Sequence, residues 1–115
     1  MPSMTLDHVS LLVRNLEASS KFYTEVMGFV PIHNGTERSN IRWFGIGGIT
    51  ALHITEDDFG DTRLKKQTHF AVCVDDFDGF VAELRAKGVK FWSWSEKIGE
   101  VRSTRRLPPN LPRRP

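Results

Sequence analysis

His8-Val9-Ser10-Leu11-Leu12-Val13, with Asn15-Leu16 close behind, returns later in the chain as His69-Phe70-Ala71-Val72-Cys73-Val74, with Asp76-Phe77 in the matching place. Each stretch leads with a histidine, stays largely apolar for five residues and reaches a helix-capping residue two positions on. Asn and Asp suit that position because a side-chain oxygen accepts from a backbone N–H that the first helical turn leaves unpaired. The chain therefore carries an internal repeat of about sixty residues, each copy opening as strand and then helix.

Working outward from the first copy, Met4 to Val13 reads as a strand, with His8, Ser10 and Leu12 on one face and Val9, Leu11 and Val13 on the other. Leu16, Ala18, Ser19, Phe22, Tyr23, Val26 and Met27 recur near helical spacing, which predicts an amphipathic helix over 16–27 stopped by Gly28. Short strands follow at Phe29 to His33 and Ile41 to Ile46, then a Gly47-Gly48 hairpin turn and a strand from Ile49 to Thr55. On that last strand Ile49, Ala51 and His53 share a face. The first copy thus reads β-α-β-β-β. Residues 56–67 are polar and suit a surface linker. In the second copy a strand over His69 to Val74 leads to a helix with Phe77, Phe80, Val81 and Leu84 on one stripe. It ends at Lys87-Gly88, and a strand follows from Val89 to Trp92. There the symmetry fails, because residues 93–101 and an Arg/Pro-rich tail stand where two more strands would be.

The chain has 115 residues, 39% of them hydrophobic, which suits one globular core. No run approaches the ~18 apolar residues of a membrane span, and Met1 to Thr5 lacks the features of a signal peptide, so a cytoplasmic location and no membrane partner are expected. The single cysteine, Cys73, excludes an internal disulfide framework; within its apolar run it reads as a small buried hydrophobe. The net charge of +2 conceals an asymmetry: residues 101–115 hold five arginines and no acid, leaving −3 on residues 1–100. The tail has no aromatic residue for base stacking, and its prolines forbid regular structure, so a disordered tail and no nucleic-acid partner are expected.

Histidines at matched places in two modules would project into one shared cleft if the modules pair about a pseudo-twofold axis. His8 and His69 are that pair, and imidazole is a common ligand for transition metals. Either one alone is as readily a half-buried polar residue satisfied by the backbone; the matched positions favour a joint role. His53 is the third candidate metal ligand, on a strand face that would aim at the same cleft. His33, beside the Asn34-Gly35 turn, reads as a solvated loop residue.

Leu6-Asp7-His8-Val9, Asn15-Leu16-Glu17-Ala18-Ser19 and the run from Phe22 to Phe29 resemble the opening of a vicinal-oxygen-chelate domain, the glyoxalase, bleomycin-resistance and extradiol-dioxygenase kind. Ala51-Leu52-His53-Ile54 and His69-Phe70-Ala71-Val72 continue the likeness, which covers roughly residues 4–92. It implies an α+β fold in which two repeated βαβββ modules form a curved mixed sheet around a cleft, here with the second module incomplete. The expected domain spans residues 1–100, with module one at 4–55, the linker at 56–67 and module two at 68–100, followed by the tail at 101–115.

The resemblance also implies that His8 and His69 match first-strand metal ligands and that His53 matches the ligand ending module one, where glyoxalase I has a glutamate. The remaining ligand would be a glutamate on the final strand after an Asp-Pro-x-Gly-like turn, and this sequence has neither. Glu96 and Glu100 are the acids nearest the right place in order. The change of composition near Glu100 reads as out-of-frame or truncated sequence, which would leave a sheet edge to be covered by a homodimer. Trp43, Trp92 and Trp94 are then candidates for an interface or cleft wall, or pack plainly on half-buried strands.

The implied cofactor is a divalent metal ion, Zn, Ni, Mn or Fe, chelating two neighbouring oxygens of a small molecule as a Lewis acid. Three functions follow as expectations. The first is a metal-dependent lyase, isomerase or dioxygenase. The second is a metal-free drug-binding protein of the bleomycin-resistance kind. The third is an inactive, truncated homologue.

Overall fold

The computed structural model describes residues 2–65 and 67–92. By packing, the chain divides between Leu64 and Lys65 into two compact units. Trp94, Glu96, Glu100 and the 101–115 tail lie outside the described residues.

The first unit is a four-stranded mixed sheet carrying one helix. Its strands are β1 (His8–Val13), β2 (Val30–Ile32), β3 (Ile41–Ile46) and β4 (Thr50–Glu56), ordered β1-β4-β3-β2. β4 runs parallel to β1 and antiparallel to β3, and β2 is antiparallel to β3. The β-α-β-β-β order is the expected one, with shorter outer strands. Residues 2–7 form no strand, although Asp7 O still accepts from Ala51 N at 2.8 Å. The hairpin loop holds Gly47, Gly48 and Ile49, because Ile46 pairs with Thr50. Both glycines take positive φ, 65° and 93°, which a side chain would resist there.

Two faces follow from the alternation. Leu52 and Ile54 are fully enclosed, and with Val13, Phe44, Leu16 and Phe29 they make the core on the helix-bearing side. Burying a leucine or isoleucine this completely contributes about 1.5–3 kcal/mol. The helix, α1 (Leu16–Lys21), packs against β3 and β4. Asn15 Oδ1 accepts from Ala18 N at 2.9 Å, as the sequence predicts. Glu56, at the end of β4, adds a second cap by accepting from Leu16 N at 3.0 Å.

Helix α1 runs on as a π-helical turn over Phe22–Val26, where Met27 N donates to Phe22 O at 3.1 Å and Phe29 N to Tyr23 O at 2.9 Å. The sequence contains the reason. Thirteen positions separate the cap Asn15 from Gly28, whereas twelve separate Asp76 from Gly88. One extra residue in a helix of fixed ends is taken up by widening one turn. Thr24 assists, since its hydroxyl donates to Ser20 O at 2.9 Å inside the backbone ladder. Phe22, placed on the apolar stripe by spacing, is rotated outward and exposed.

In the second unit α2 (Phe77–Ala86) is capped by Asp76, which accepts from Gly79 N at 3.0 Å, and Val81 is its buried residue. Its C-terminus closes with Gly88 N to Arg85 O at 3.1 Å and Val89 N to Leu84 O at 3.0 Å, with Gly88 at φ 69°. This Schellman closure uses glycine because it needs the left-handed region.

Three expectations are corrected here. His69 to Val74 forms no strand among the described residues, and Val89 to Trp92 contributes only an isolated bridge at Trp92. A strand exists by its ladder, and β1 receives its ladder from β4, the last strand of its module; the matching place in the second copy falls beyond residue 92. Cys73 is exposed, not buried. The repeat explains this, because Cys73 matches Leu12, itself partly exposed on the face away from the core. Trp92 is 56% exposed, more open than half-buried packing predicts. Within the polar stretch read as a linker, Phe59 is buried, with the Arg14 guanidinium 4.3 Å above its ring. No helix among the described residues is long and apolar enough to cross a membrane.

Candidate functional site

The face of the sheet opposite the core carries the ring cluster His8, Trp43 and His53. β1 supplies His8, β3 Trp43 and β4 His53, and strand register brings them together. Trp43 stands directly across from His53, and His53 is level with Ser10, two residues beyond His8 on the same face. Ring centroids lie 4.5 Å apart for Trp43 and His53, 5.1 Å for His8 and His53, and 5.3 Å for His8 and Trp43.

The two histidines differ in surroundings. His8 is exposed, and its Nδ1 lies 2.6 Å from Asp7 Oδ2. An ionised carboxylate only accepts, so a hydrogen bond here requires the proton on Nδ1. His53 is half-buried, and its Nδ1 is enclosed without a hydrogen-bond partner. Burial, and secondarily the neighbouring His8, hold its pKa below the usual 6.5. A charged imidazole carries two N–H donors, and the enclosed Nδ1 would find no acceptor, so burial disfavours the charged form; the neutral ring is the form that binds a metal. Trp43 Nε1 is likewise enclosed and unpartnered. An orphaned indole N–H costs about 1–3 kcal/mol, which an acceptor atom of a ligand would recover.

Of the three histidines singled out by sequence, the fold joins His8 and His53. His69 belongs to the second unit and is exposed, on the same alternating set as Cys73. His33 is exposed, as predicted. Among the described residues no group of three or more His, Cys, Asp or Glu side chains is gathered in a way that would hold a metal ion. The separation of the pair is one that two imidazole ligands of a single ion can have. Two imidazoles bound at about 2.0–2.1 Å and separated by a bond angle of about 90–110° put their centroids roughly 4.5–5.3 Å apart, the range in which this pair falls.

Sequence reasoning named Trp43 as a cleft-wall candidate without pairing it with His53, and it missed Asp7. The Trp43–His53 pairing was available by counting back from a three-residue hairpin loop. The Asp7–His8 contact was not, because neighbours on a strand point to opposite faces; Asp7 precedes β1 and is released from that rule.

Residues 5–97 match the family model described as the Glyoxalase/Bleomycin resistance protein/Dioxygenase superfamily. Among solved structures, the chain is similar to an integron cassette protein from the mobile metagenome of a Halifax Harbour sewage outfall, at 27% identity and a TM-score of 0.55 over 73% of this chain and 71% of that one. It is similar in fold to the oxidase ChaP-H2, at 20% identity and a TM-score of 0.62 over 86% and 76% of the two chains. A third similar fold is that of a mutant of the fosfomycin resistance protein FosX from Listeria monocytogenes, complexed with Mn(II) and dihydroxypropylphosphonic acid, at 19% identity and a TM-score of 0.58 over 76% and 69%. No curated protein matches.

Proposed function

Because the chain belongs to the Glyoxalase/Bleomycin resistance protein/Dioxygenase superfamily, we propose that His8 and His53 hold a divalent metal ion and present it to a small molecule bearing neighbouring oxygen atoms. The observation that carries this reading is the His8–His53 pair at 5.1 Å on the open face, with one ring oriented by Asp7 and the other kept neutral by burial. The Mn(II) of the FosX complex makes manganese the first ion to try, ahead of iron, nickel and zinc. A divalent metal supplies Lewis-acid stabilisation of charge developing on chelated oxygens. The chain's own part is to fix His8 through Asp7, to wall one side of the site with the Trp43 ring, and to offer the Trp43 N–H to an acceptor on the bound molecule.

Elemental mass spectrometry of purified protein, before and after incubation with each ion, tests the reading. Near-stoichiometric metal in the parent, reduced at least about tenfold in His8→Ala and His53→Ala, is expected. Absence of metal in the parent after all four incubations would overturn it.

A second reading rests on the unpartnered Trp43 Nε1. In a metal-free binding protein that donor and its ring would hold a drug-like molecule directly, and affinity measured by Trp43 fluorescence quenching would be indifferent to a chelator.

A further inference from the structure

We infer that Asp7 is a positioning residue for His8: it keeps the imidazole in the Nδ1–H tautomer, with the Nε2 lone pair turned to the open face. The role of His8 as a metal ligand rests on the function proposed above; the tautomer assignment does not.

Three observations carry the inference. The Asp7 Oδ2 to His8 Nδ1 distance of 2.6 Å is short, as expected for a hydrogen bond to an ionised acceptor. The backbone beneath the carboxylate is pinned, since Asp7 O accepts from Ala51 N at 2.8 Å and Leu6 O accepts from the Thr50 hydroxyl at 3.0 Å. Asp7 therefore continues the β1–β4 hydrogen bonding without being held to strand alternation, which lets its side chain turn toward its neighbour. Finally, the other two rings of the cluster offer His8 no such partner: Trp43 Nε1 donates only, and both it and His53 Nδ1 are enclosed without hydrogen bonds.

Asp7 is 89% exposed. A pair this open to solvent adds little to folding, so its removal reads the state of the ring and not the survival of the fold. The consequence for binding is specific. An imidazole that has already placed its proton on Nδ1 needs no tautomer change to donate Nε2 to an ion, and loss of such an orienting partner typically lowers metal affinity about 10–100-fold.

The experiment is a long-range proton–nitrogen correlation spectrum of the metal-free full chain at about pH 8. The His8 signals are assigned by their loss in His8→Gln. In the parent protein His8 is expected mainly as the Nδ1–H form. Asp7→Ala is expected to move it to the Nε2–H form, while Asp7→Asn, which keeps an acceptor oxygen, retains the parent pattern. The same His8 tautomer in the parent and in Asp7→Ala, or a parent already in the Nε2–H form, would overturn the inference. Metal titration of the same three proteins reads the other proposal separately. A tautomer shift with no binding in any of them upholds the role of Asp7 and removes the metal site.

Discussion

At the scale of single residues, the ring cluster encloses polar atoms that the fold itself does not pair. His53 Nδ1 and Trp43 Nε1 both lack a hydrogen bond. For His53 this has a pH consequence. Unfolded, the imidazole titrates near 6.5; folded, burial and then His8 hold it lower. Above 6.5 the ring is neutral in both states, and its contribution to stability is fully present. As pH falls below 6.5 the unfolded chain takes up the proton first, so stability declines until the folded pKa is passed. Urea denaturation of the metal-free protein should therefore show a lower midpoint as pH falls below 6.5, with part of that slope absent in His53→Gln. An unchanged slope in the variant would place the ring in solvent.

At the scale of elements, helix α1 shows how local chemistry and fixed ends combine. Its first turn is held by two acceptors from different parts of the chain, Asn15 Oδ1 on Ala18 N and Glu56 Oε1 on Leu16 N. Replacing Asn15 with Ala removes the local cap alone, and the expected loss is about 1 kcal/mol in urea denaturation. A loss near zero would mean that solvent serves Ala18 N equally well. The π-turn that follows is a matter of length, the one surplus residue between cap and glycine, and the corresponding helix of the second copy, α2, without the surplus keeps regular turns to its Schellman end.

At the scale of the whole molecule, the two sequence copies share caps, glycine stops and alternation, yet only the first unit has a described sheet. Cys73 is exposed, as is Leu12, its counterpart in the first copy. Native protein is expected to react with a thiol-specific disulfide reagent at a rate within about tenfold of the urea-denatured chain, since the exposed thiol is within the reagent's reach in both states. Protection by orders of magnitude would show the thiol covered in solution.

The sequence by itself determined what depends on near neighbours and on periodicity. Asn15 and Asp76 as caps, Gly28 and Gly88 as stops, the β-α-β-β-β order, and the division of β1 into a His8 face and a Val9 face were all legible, because side-chain oxygen placement, positive φ and the two-residue alternation are local properties. His8, His53 and His69 could be singled out by kind and position. Only the tertiary structure decided which of them meet within a unit. The chain returns β4 beside β1 and sets β3 across from β4, so three rings distant in sequence come within about 5 Å. It also decided that Glu56 caps a helix forty residues earlier and that Phe59 anchors a polar stretch. Register and strand order arise from many long-range pairings formed at once, and no single residue or short window of this sequence carries them.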